Sequence, residues 1–520
     1  TGAAEDPYVA EGTASFDLGA EPRFLIRADG AQIRFDDAAG EAAGRFDLRQ
    51  RLAALHEALI DAPRVAIPGR IEVMLPAVVA GDTTVRDVHL FAEPSQNGWT
   101  VASLGATLPG RATLEAKGEL AVGDEELGFD GSLLLAVGQP SGFAAWLARD
   151  VDDAIRRLPS AGFSADVALG SERQTFRNLE LMLGDAKFRG EADSRMPAGA
   201  KPSLSLRLDG DRLDVEGMAA FASLFVSQEG ATRLAERDLD LEIVAGPVSA
   251  AGLTAGTLDA ALRLKEGQLD IDRLAIGDLA GADVGVTGRL TRLSGAPAGD
   301  LDVGVVADDL EPLAAVLAER FPQSGFAREA LRRARAYPGL YQDASLRIIA
   351  TLPEKEGERA VFDLAGDVGG APLVLKAQLA QPFAASASTP LALDLALRAD
   401  EASVVYALLG LPTLPFDFAG PARVEAGFEG VPASGGRASF AMAGEGLSLA
   451  FHGEAALKDA GLSANGSAIL ESDDLEPWLT TAGVTLPGMG LGLPAGLAAA
   501  LDVEGGLLVL STLEGAIADV

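Results

Sequence analysis

The stretch TLDAALRLK, from Thr257 to Lys265, alternates apolar and polar side chains with a period of two. Successive side chains of a β-strand point to opposite faces of its sheet, so this strand would bury one face and leave the other in water. The same alternation recurs in ATLEAKGEL from Ala112, SLSLRLDG from Ser203 and LALDLALRAD from Leu391. The sequence therefore predicts antiparallel sheets with one apolar and one polar face.

The predicted apolar face consists of small aliphatic side chains at alternate positions of these four strands. We take the following as candidate lining residues: Leu114, Ala116, Leu120, Leu204, Leu206, Leu208, Leu258, Leu262, Leu264, Leu393, Leu395 and Leu397. Ala260 belongs to the same apolar set, and Asp259, Arg263 and Lys265 would point into water.

The pentapeptide DDLEP occurs twice, at Asp308 to Pro312 and at Asp473 to Pro477. Two acidic residues could bind a metal ion, or they could cap a helix. A helix start accounts for every residue, because Asp is a preferred N-cap and Pro is tolerated in the first turn. We predict helices with Asp309 and Asp474 as N-caps, the first with the apolar face Leu310, Leu313, Leu317 and Phe321.

Other strand ends lead into similar helical patterns. The apolar faces of these predicted helices are Leu48, Leu52, Leu55 and Leu59; Met218, Phe221 and Phe225; and Val405, Leu408 and Leu409.

A hairpin-like stretch with glycine at one place in its returning strand precedes several of these junctions. The glycines are Gly118, Gly190, Gly288 and Gly453, whose numbers differ by 72, 98 and 165, the last gap spanning two units. We predict one continuous β-rich repeat array over residues 1–520, an interior segment of a longer chain. The approximate repeats are 1–66, 67–160, 161–236, 237–335, 336–412, 413–485 and 486–520, the last being the start of a further repeat.

The composition excludes several classes of function. A net charge of -34 would repel nucleic-acid phosphates and anionic membrane surfaces over much of the surface. The lack of cysteine excludes disulfides and thiolate metal sites. His56, His89 and His452 lie far apart without a second ligand at metal spacing, and no nucleophile elbow or phosphate loop occurs. We expect no catalytic residues, no metal and no cofactor, so the chain is not expected to be an enzyme.

Two further segments each allow an ordinary structural interpretation and a functional one. The uncharged run from Pro477 to Leu501 is interrupted by prolines and glycines, which argues against a membrane-spanning helix. FAREALRRARAY, from Phe326 to Tyr337, is the densest basic segment of this acidic chain. It predicts an exposed helix, and the alternative is contact with an anionic headgroup or a partner.

The few short helices must cover a much greater length of strand, so part of the apolar face is expected to stay open. An open apolar trough would bind acyl chains without any site chemistry, because each buried methylene contributes about 0.8 kcal/mol. We predict a mainly β, elongated repeat array of twisted antiparallel sheet, with one apolar face forming a groove and short helices at the repeat junctions. The alternative is a closed β-sandwich array that serves as a rigid scaffold or an assembly factor.

The strand-to-helix junctions carry a resemblance to a known family. SLRLDGDRLDVEGMAAFASLF from Ser205, after FRNLELMLGDAKFRGEA from Phe176, is one such junction. LDVGVVADDLEPLAAVLAERF from Leu301, after IDRLAIGDLAGADVGVTGRL from Ile271, is another. In these patterns of Leu, Gly, Asp and Pro, over most of its length, the chain resembles the AsmA family of Gram-negative envelope proteins, which includes the bridge-like TamB and YhdP groups.

The resemblance implies a periplasmic β-rich groove tethered to the inner membrane by a segment outside this chain. It implies a part in moving phospholipid towards the outer membrane and in maintaining that membrane. The expected partners are phospholipid or another acyl lipid and proteins of either membrane. In this setting the closed-sandwich alternative would be a periplasmic scaffold or an assembly factor for outer-membrane proteins. The family has no catalytic residues to transfer to this sequence.

Overall fold

The computed structural model describes residues 10–30, 33–35, 60, 67–80, 83–123, 127–147, 151, 153–197, 199–224, 237–322, 325–355, 357–380, 382, 386–410, 420–444, 446–458, 461–481, 490, 492–504 and 507–518. The chain divides into two compact units, Thr1–Glu266 (unit 1) and Gly267–Val520 (unit 2). Each unit is a twisted, open, mainly β sheet with short helices at strand ends, which confirms the predicted fold class.

Unit 1 contains one large sheet and one small sheet. Its strands are β1 (Ala10–Asp17), β2 (Arg23–Gly30), β3 (Ile33–Phe35), β4 (Gly69–Ala80), β5 (Thr83–Ser95), β6 (Gly98–Leu108), β7 (Ala112–Val122), β8 (Leu127–Val137), β9 (Ala161–Leu169), β10 (Arg173–Leu183), β11 (Ala186–Arg195), β12 (Ser203–Gly210), β13 (Leu213–Asp214), β14 (Asp238–Ala245), β15 (Val248–Ala250), β16 (Leu253–Ala255) and β17 (Thr257–Lys265). From β4 to β12 each strand pairs antiparallel with the next in sequence. β13, β15 and β16 form the small sheet.

Unit 2 is a single meander in which each strand pairs antiparallel with the next. Its strands are β18 (Gln268–Leu279), β19 (Ala282–Thr291), β20 (Ala298–Asp309), β21 (Gln342–Leu352), β22 (Ala360–Val368), β23 (Ala371–Leu379), β24 (Leu391–Ala399), β25 (Ala422–Val431), β26 (Gly435–Gly444), β27 (Leu447–Lys458), β28 (Gly461–Ser472), β29 (Ala495–Glu504) and β30 (Leu507–Ile517). Most of these strands are joined by short turns, which suffice between antiparallel neighbours, and the connections after β20, β24 and β28 are longer and carry helices.

The helices described are short and follow strands β8, β12, β20, β24 and β28. They are α1 (Pro140–Trp146), α2 (Asp153–Arg157), α3 (Val215–Ser223), α4 (Glu311–Arg320), α5 (Gly325–Ala336), α6 (Ala402–Leu409) and α7 (Glu476–Thr481). Met218 and Phe221 lie on α3, as predicted. Val405, Leu408 and Leu409 lie on α6, also as predicted. The predicted helix face from Leu48 to Leu59, together with Phe225 and His56, lies outside the described residues.

Unit 1 departs from the predicted antiparallel pattern at β2–β4, β3–β4, β12–β14 and β13–β15, which are parallel pairs. After β12 the chain passes through α3 and residues up to 237 before it re-enters the sheet. Parallel neighbours require such a long crossover, because the second strand must start at the same end as the first. The side-chain alternation is the same in either direction, so the sequence pattern did not distinguish them.

Both DDLEP copies start helices, as predicted, although each helix begins later than a cap at Asp309 or Asp474 would place it. α4 begins at Glu311 with Pro312 second, and the Glu311 N–H donates to Asp309 Oδ1 at 2.9 Å. α7 repeats this contact, with the Glu476 N–H donating to Asp474 Oδ1 at 2.9 Å. Asp309 and Asp474 therefore accept the N–H of the first helical residue. Each lies one residue before the N-cap position, rather than at the N-cap as predicted.

The recurring glycines mark places where two strands come unusually close. A Cβ at each of Gly118, Gly190, Gly288 or Gly453 would overlap the carbonyl oxygen of the following strand. Gly118, Gly190 and Gly288 also pair with a residue beside a register shift of the preceding strand. The glycines thus allow the sheet to kink at a bulge without losing its ladder.

Candidate functional site

Nine of the candidate lining residues lie on the apolar face of unit 1, three each on β7, β12 and β17, and the other three lie on β24, on the apolar face of unit 2. Leu208, Leu264 and Leu397 are fully buried. The others are half-buried. The predicted alternation is therefore present, and most of the predicted lining is only partly covered by protein.

In unit 1 the strand register aligns apolar residues and glycines of neighbouring strands, among them the candidates Leu206 and Leu262, into a row that crosses the sheet. We call the following residues the central row of unit 1: Ala92, Val101, Gly118, Gly131, Val167, Phe176, Ala192, Leu206, Leu241 and Leu262. Ala92, Val101 and Val167 are fully buried, whereas Phe176 to Leu262 are half-buried. The row is therefore more open towards β17 than towards β5.

Unit 2 has a longer row of the same kind. The central row of unit 2 comprises Leu274, Val286, Val303, Ile348, Leu364, Leu375, Leu395, Ala426, Phe440, Phe451, Ala468 and Ala499. All twelve side chains are half-buried, so none is sealed and none stands alone in solvent. The row continues over twelve neighbouring strands, β18 to β29.

Half-burial has a simple cause, which Leu395 illustrates. Leu375 and Ala426 flank it on the neighbouring strands, and Leu393 and Leu397 flank it along β24. Such neighbours cover the sides of a side chain that stands up from a sheet, but they leave its tip uncovered. A second layer packed over the row would bury Leu395 completely, as it does in a closed sandwich.

Among the described residues of unit 2, α6 covers one margin of the apolar face. In unit 2, Val405 and Tyr406 of α6 are completely buried against a cluster that includes Leu397, Val424 and Met442. Each of these three strand residues is two positions from the central row, towards the helix end of its strand. The helix therefore seals one margin of the face and leaves the central row open.

In unit 1 the covering is more extensive. α1 and α3 contribute Phe143 and Phe221 to a core with Leu135 and Val137 at the end of β8. The small sheet contributes Leu213 and Val248 to a second core beneath Phe188 and Leu208. Val167 belongs to this second core and is fully buried, whereas Leu206 packs against its edge and stays half-buried.

The opposite face of the sheet is polar and held by cross-strand ion pairs. Arg207 lies between its neighbours Glu191 and Glu242, with nitrogen-to-oxygen distances of 2.8 and 2.7 Å. The hydrogen bonds that the Arg207 guanidinium donates to the Glu242 carboxylate raise the pKa of Arg207. In unit 2, Arg347 Nε donates to Asp302 Oδ1 at 2.9 Å, and this guanidinium lowers the pKa of the Asp302 carboxyl. The charged face stays in water, which leaves the apolar face as the candidate site.

Sequence reasoning did not identify most of the central row. Val286, Ile348, Leu364, Phe440 and Phe451 were not among the candidates, although each lies on an alternating strand that could have identified it. Phe440 and Phe451 pair across β26 and β27. The scarcity of aromatic residues therefore does not keep them off this face.

Within the described ranges, no three His, Cys, Asp or Glu side chains come together as a metal site would require. His89 lies in β5 with Nε2 3.1 Å from Ser103 Oγ, and His452 is exposed on β27. None of the helices described is both long and apolar enough to cross a membrane.

Comparison of the sequence with models of known protein families and with curated proteins gives no match.

Proposed function

We propose that the apolar face binds the acyl chains of lipids and that the protein acts as a lipid-binding and transfer segment without enzymatic activity. The observation that carries this proposal is the central row of unit 2, which stays half-buried over twelve strands. An acyl chain lying over such a row would shield the exposed tips of its side chains from water. Each methylene transferred from water would contribute about 0.8 kcal/mol, less where one side of the chain stays wet.

The chemistry of the row favours sliding over docking. Its side chains are mostly Leu, Val, Ile, Ala and Phe, and they offer no hydrogen-bonding group to fix a ligand at one place. Binding energy is then spread evenly along the row, so a bound chain can move between neighbouring strands at little cost. Such a surface suits transfer of phospholipid better than storage of one molecule.

On this proposal the chain belongs to the AsmA family and works in the periplasm, tethered to the inner membrane by a segment outside this chain. Its groove would carry phospholipid between inner and outer membranes and support maintenance of the outer membrane. The junction motifs around Asp214 and Asp309 support this assignment, since both place a short helix after an alternating strand. The partners would be acyl lipids and proteins of the two membranes.

The competing function is a rigid periplasmic scaffold or assembly factor built from closed sandwiches. A closed sandwich requires a second layer over the apolar face, and complete burial of the residues beneath it. The half-burial of Leu375, Leu395 and Phe440 argues for the lipid-binding alternative.

Uptake of a fluorescent fatty acid by the purified protein tests the proposal. The double variant Leu375→Glu/Leu395→Glu places two charges in the central row of unit 2 and should abolish most uptake by that unit. Leu206→Glu/Leu262→Glu does the same in unit 1, on either side of Leu241. Combining all four substitutions should reduce total uptake at least tenfold.

The matched control uses the polar face of the same sheet in unit 2. Val374 on β23 and Ile349 on β21 are 46% and 42% exposed on the polar face, so Val374→Glu/Ile349→Glu adds the same charge there. This control should bind the fatty acid like the wild type. If the wild type takes up no fatty acid, or if control and central-row variants lose uptake equally while folded, the scaffold function is the better account.

A further inference from the structure

The α4–α5 hairpin carries a basic and apolar surface that the acyl-binding face does not use. Residues 310–337 hold five arginines, three glutamates and no lysine, a net charge of +2 in a chain of net charge -34. α4 packs against α5, and the Arg335 guanidinium of α5 lies 4.0 Å from the Glu311 carboxylate at the start of α4. The two helices are therefore antiparallel, with the end of α4 and the start of α5 together at the tip.

Apolar side chains are exposed on α4 at this tip. No residue of α4 is fully buried, and the predicted apolar face is only partly covered. Leu317 is 41% exposed and Phe321, directly after the helix, is 60% exposed. Since residues four apart lie on the same side of a helix, the two form one exposed apolar patch.

α5 adds a row of arginines. Arg328, Arg332 and Arg335 follow at spacings of four and three and are all exposed, while Ala327 and Ala334 are buried on another face. Glu329 pairs with both Arg332 and Arg333, and these hydrogen bonds lower its pKa to about 2. One carboxylate thus serves two guanidinium groups, so the exposed face keeps an excess of positive charge.

Arg333 has a separate, structural contact. Its guanidinium donates to the Leu408 carbonyl oxygen at the last turn of α6, where the helix leaves carbonyls unpaired. This contact fixes α5 against α6 within unit 2. Arg328, Arg332 and Arg335 stay exposed, although Arg332 pairs with Glu329 and Arg335 lies near Glu311.

We propose that the α4–α5 hairpin docks on the surface of an anionic phospholipid bilayer. Phe321 and Leu317 enter the headgroup region, and Arg328, Arg332 and Arg335 contact lipid phosphates. Exposed aromatic and leucine side chains beside arginines are the combination that binds such interfaces. The acidic remainder of the chain opposes docking weakly, because salt screens its charges beyond about 10 Å. The proposal goes beyond acyl binding and is independent of the central rows.

Sedimentation of the whole protein with vesicles tests the proposal. The wild type should bind phosphatidylcholine vesicles that contain phosphatidylglycerol and should bind pure phosphatidylcholine vesicles far less. Each arginine near an anionic surface strengthens binding about fivefold, so Arg328→Gln/Arg332→Gln/Arg335→Gln should weaken binding about 100-fold. Phe321→Ser should weaken it without changing the charge.

The matched control is Arg398→Gln/Arg423→Gln/Arg437→Gln, which removes the same charge from exposed positions of β24, β25 and β26. It should bind anionic vesicles like the wild type. If the triple hairpin variant fails to fold, Arg328→Glu alone provides the test, because no ion pair of Arg328 occurs among the described residues.

Absence of wild-type binding, equal binding to both kinds of vesicle, or equal loss in hairpin and control variants would overturn the proposal. If the partner of the hairpin were an acidic protein instead of a bilayer, the wild type would bind neither kind of vesicle. Fatty-acid uptake distinguishes failure of this proposal from failure of the proposed function, because the hairpin variants should keep full uptake. Loss of uptake in the central-row variants should likewise leave anionic vesicle binding unchanged.

Discussion

Gly288 lies in β19 with a backbone φ of 148°, a conformation that residues with a side chain rarely adopt. It pairs with Ile271 beside a register shift in β18. A Cβ at this position would overlap the Asp300 carbonyl oxygen of β20. The repeated glycine therefore reflects backbone geometry, and no ligand is needed to explain it.

We expect Gly288→Ala to lower the free energy of unfolding of unit 2 by about 1–3 kcal/mol, because the backbone must strain and β20 must shift. Gly285→Ala in the same strand is the control, since a Cβ there meets nothing within 4 Å. It should change stability by no more than about 0.5 kcal/mol. Chemical denaturation followed by circular dichroism would measure both, and equal effects would contradict this account of the repeat.

Asp309 and Asp474, the second aspartates of the two DDLEP copies, make different contacts. Asp309 accepts one backbone N–H, from Glu311, whereas Asp474 accepts one from Glu476 and another from Leu493 at 2.8 Å. Asp309→Ala should cost about 1 kcal/mol, as loss of a helix cap does, and Asp474→Ala should cost more. Asp308→Ala, at an exposed neighbouring position, should be nearly neutral. A melting temperature that rises with added calcium in the wild type, and not in these variants, would indicate a metal site instead.

The Asp302–Arg347 pair makes the stability of unit 2 depend on pH. The arginine lowers the pKa of Asp302 from its ordinary value of 3.8, so the pair contributes stability above that pH. This contribution disappears as the pH falls through the lowered pKa and the carboxyl becomes protonated. Asp302→Asn should therefore destabilise at pH 7, and its effect should shrink as the pH falls below 3.8 and through the lowered pKa. Unfolding curves over this pH range would show the change, and an effect that stays constant down to full protonation would exclude the ion pair as its cause.

At the scale of elements, two-residue alternation predicted the strands and their two faces correctly. TLDAALRLK became β17, with Leu262 and Leu264 on the apolar side and Arg263 on the polar side. The helix starts after β20 and β28 could be predicted because Asp and Pro have definite roles in the first helical turn. The pattern of Leu313 and Leu317 did not reveal that α4 would leave its apolar face partly exposed, because only contacts with neighbouring elements decide that.

The sequence pattern did not predict the register or the direction of the strands. Leu206 faces Leu241 in a parallel pair and Ala192 in an antiparallel pair, although alternation on all three strands is the same. The bulges opposite Gly118 and Gly288 shift the register without changing composition. The central rows could therefore not be assembled from the sequence, even though single members such as Leu206, Leu262 and Leu395 were identified.

At the scale of the whole molecule, each unit combines a charged outer face with an apolar face that its helices cover only in part. In unit 2 the covered part is the margin at Leu397, Val424 and Met442, where α6 packs. The open part is the central row through Leu375, Leu395 and Phe440. The proposed function depends on this difference between a sealed margin and an open centre.

Photocrosslinking tests this dependence most directly. The protein would be irradiated with a fatty acid that carries a diazirine along its chain, and mass spectrometry would locate the labelled residues. We predict labels on central-row residues of β23, β24 and β26, around Leu375, Leu395 and Phe440, and their loss when excess unlabelled fatty acid competes. Labels confined to the polar face or the helices, or labels that excess fatty acid does not remove, would contradict acyl binding by the apolar face.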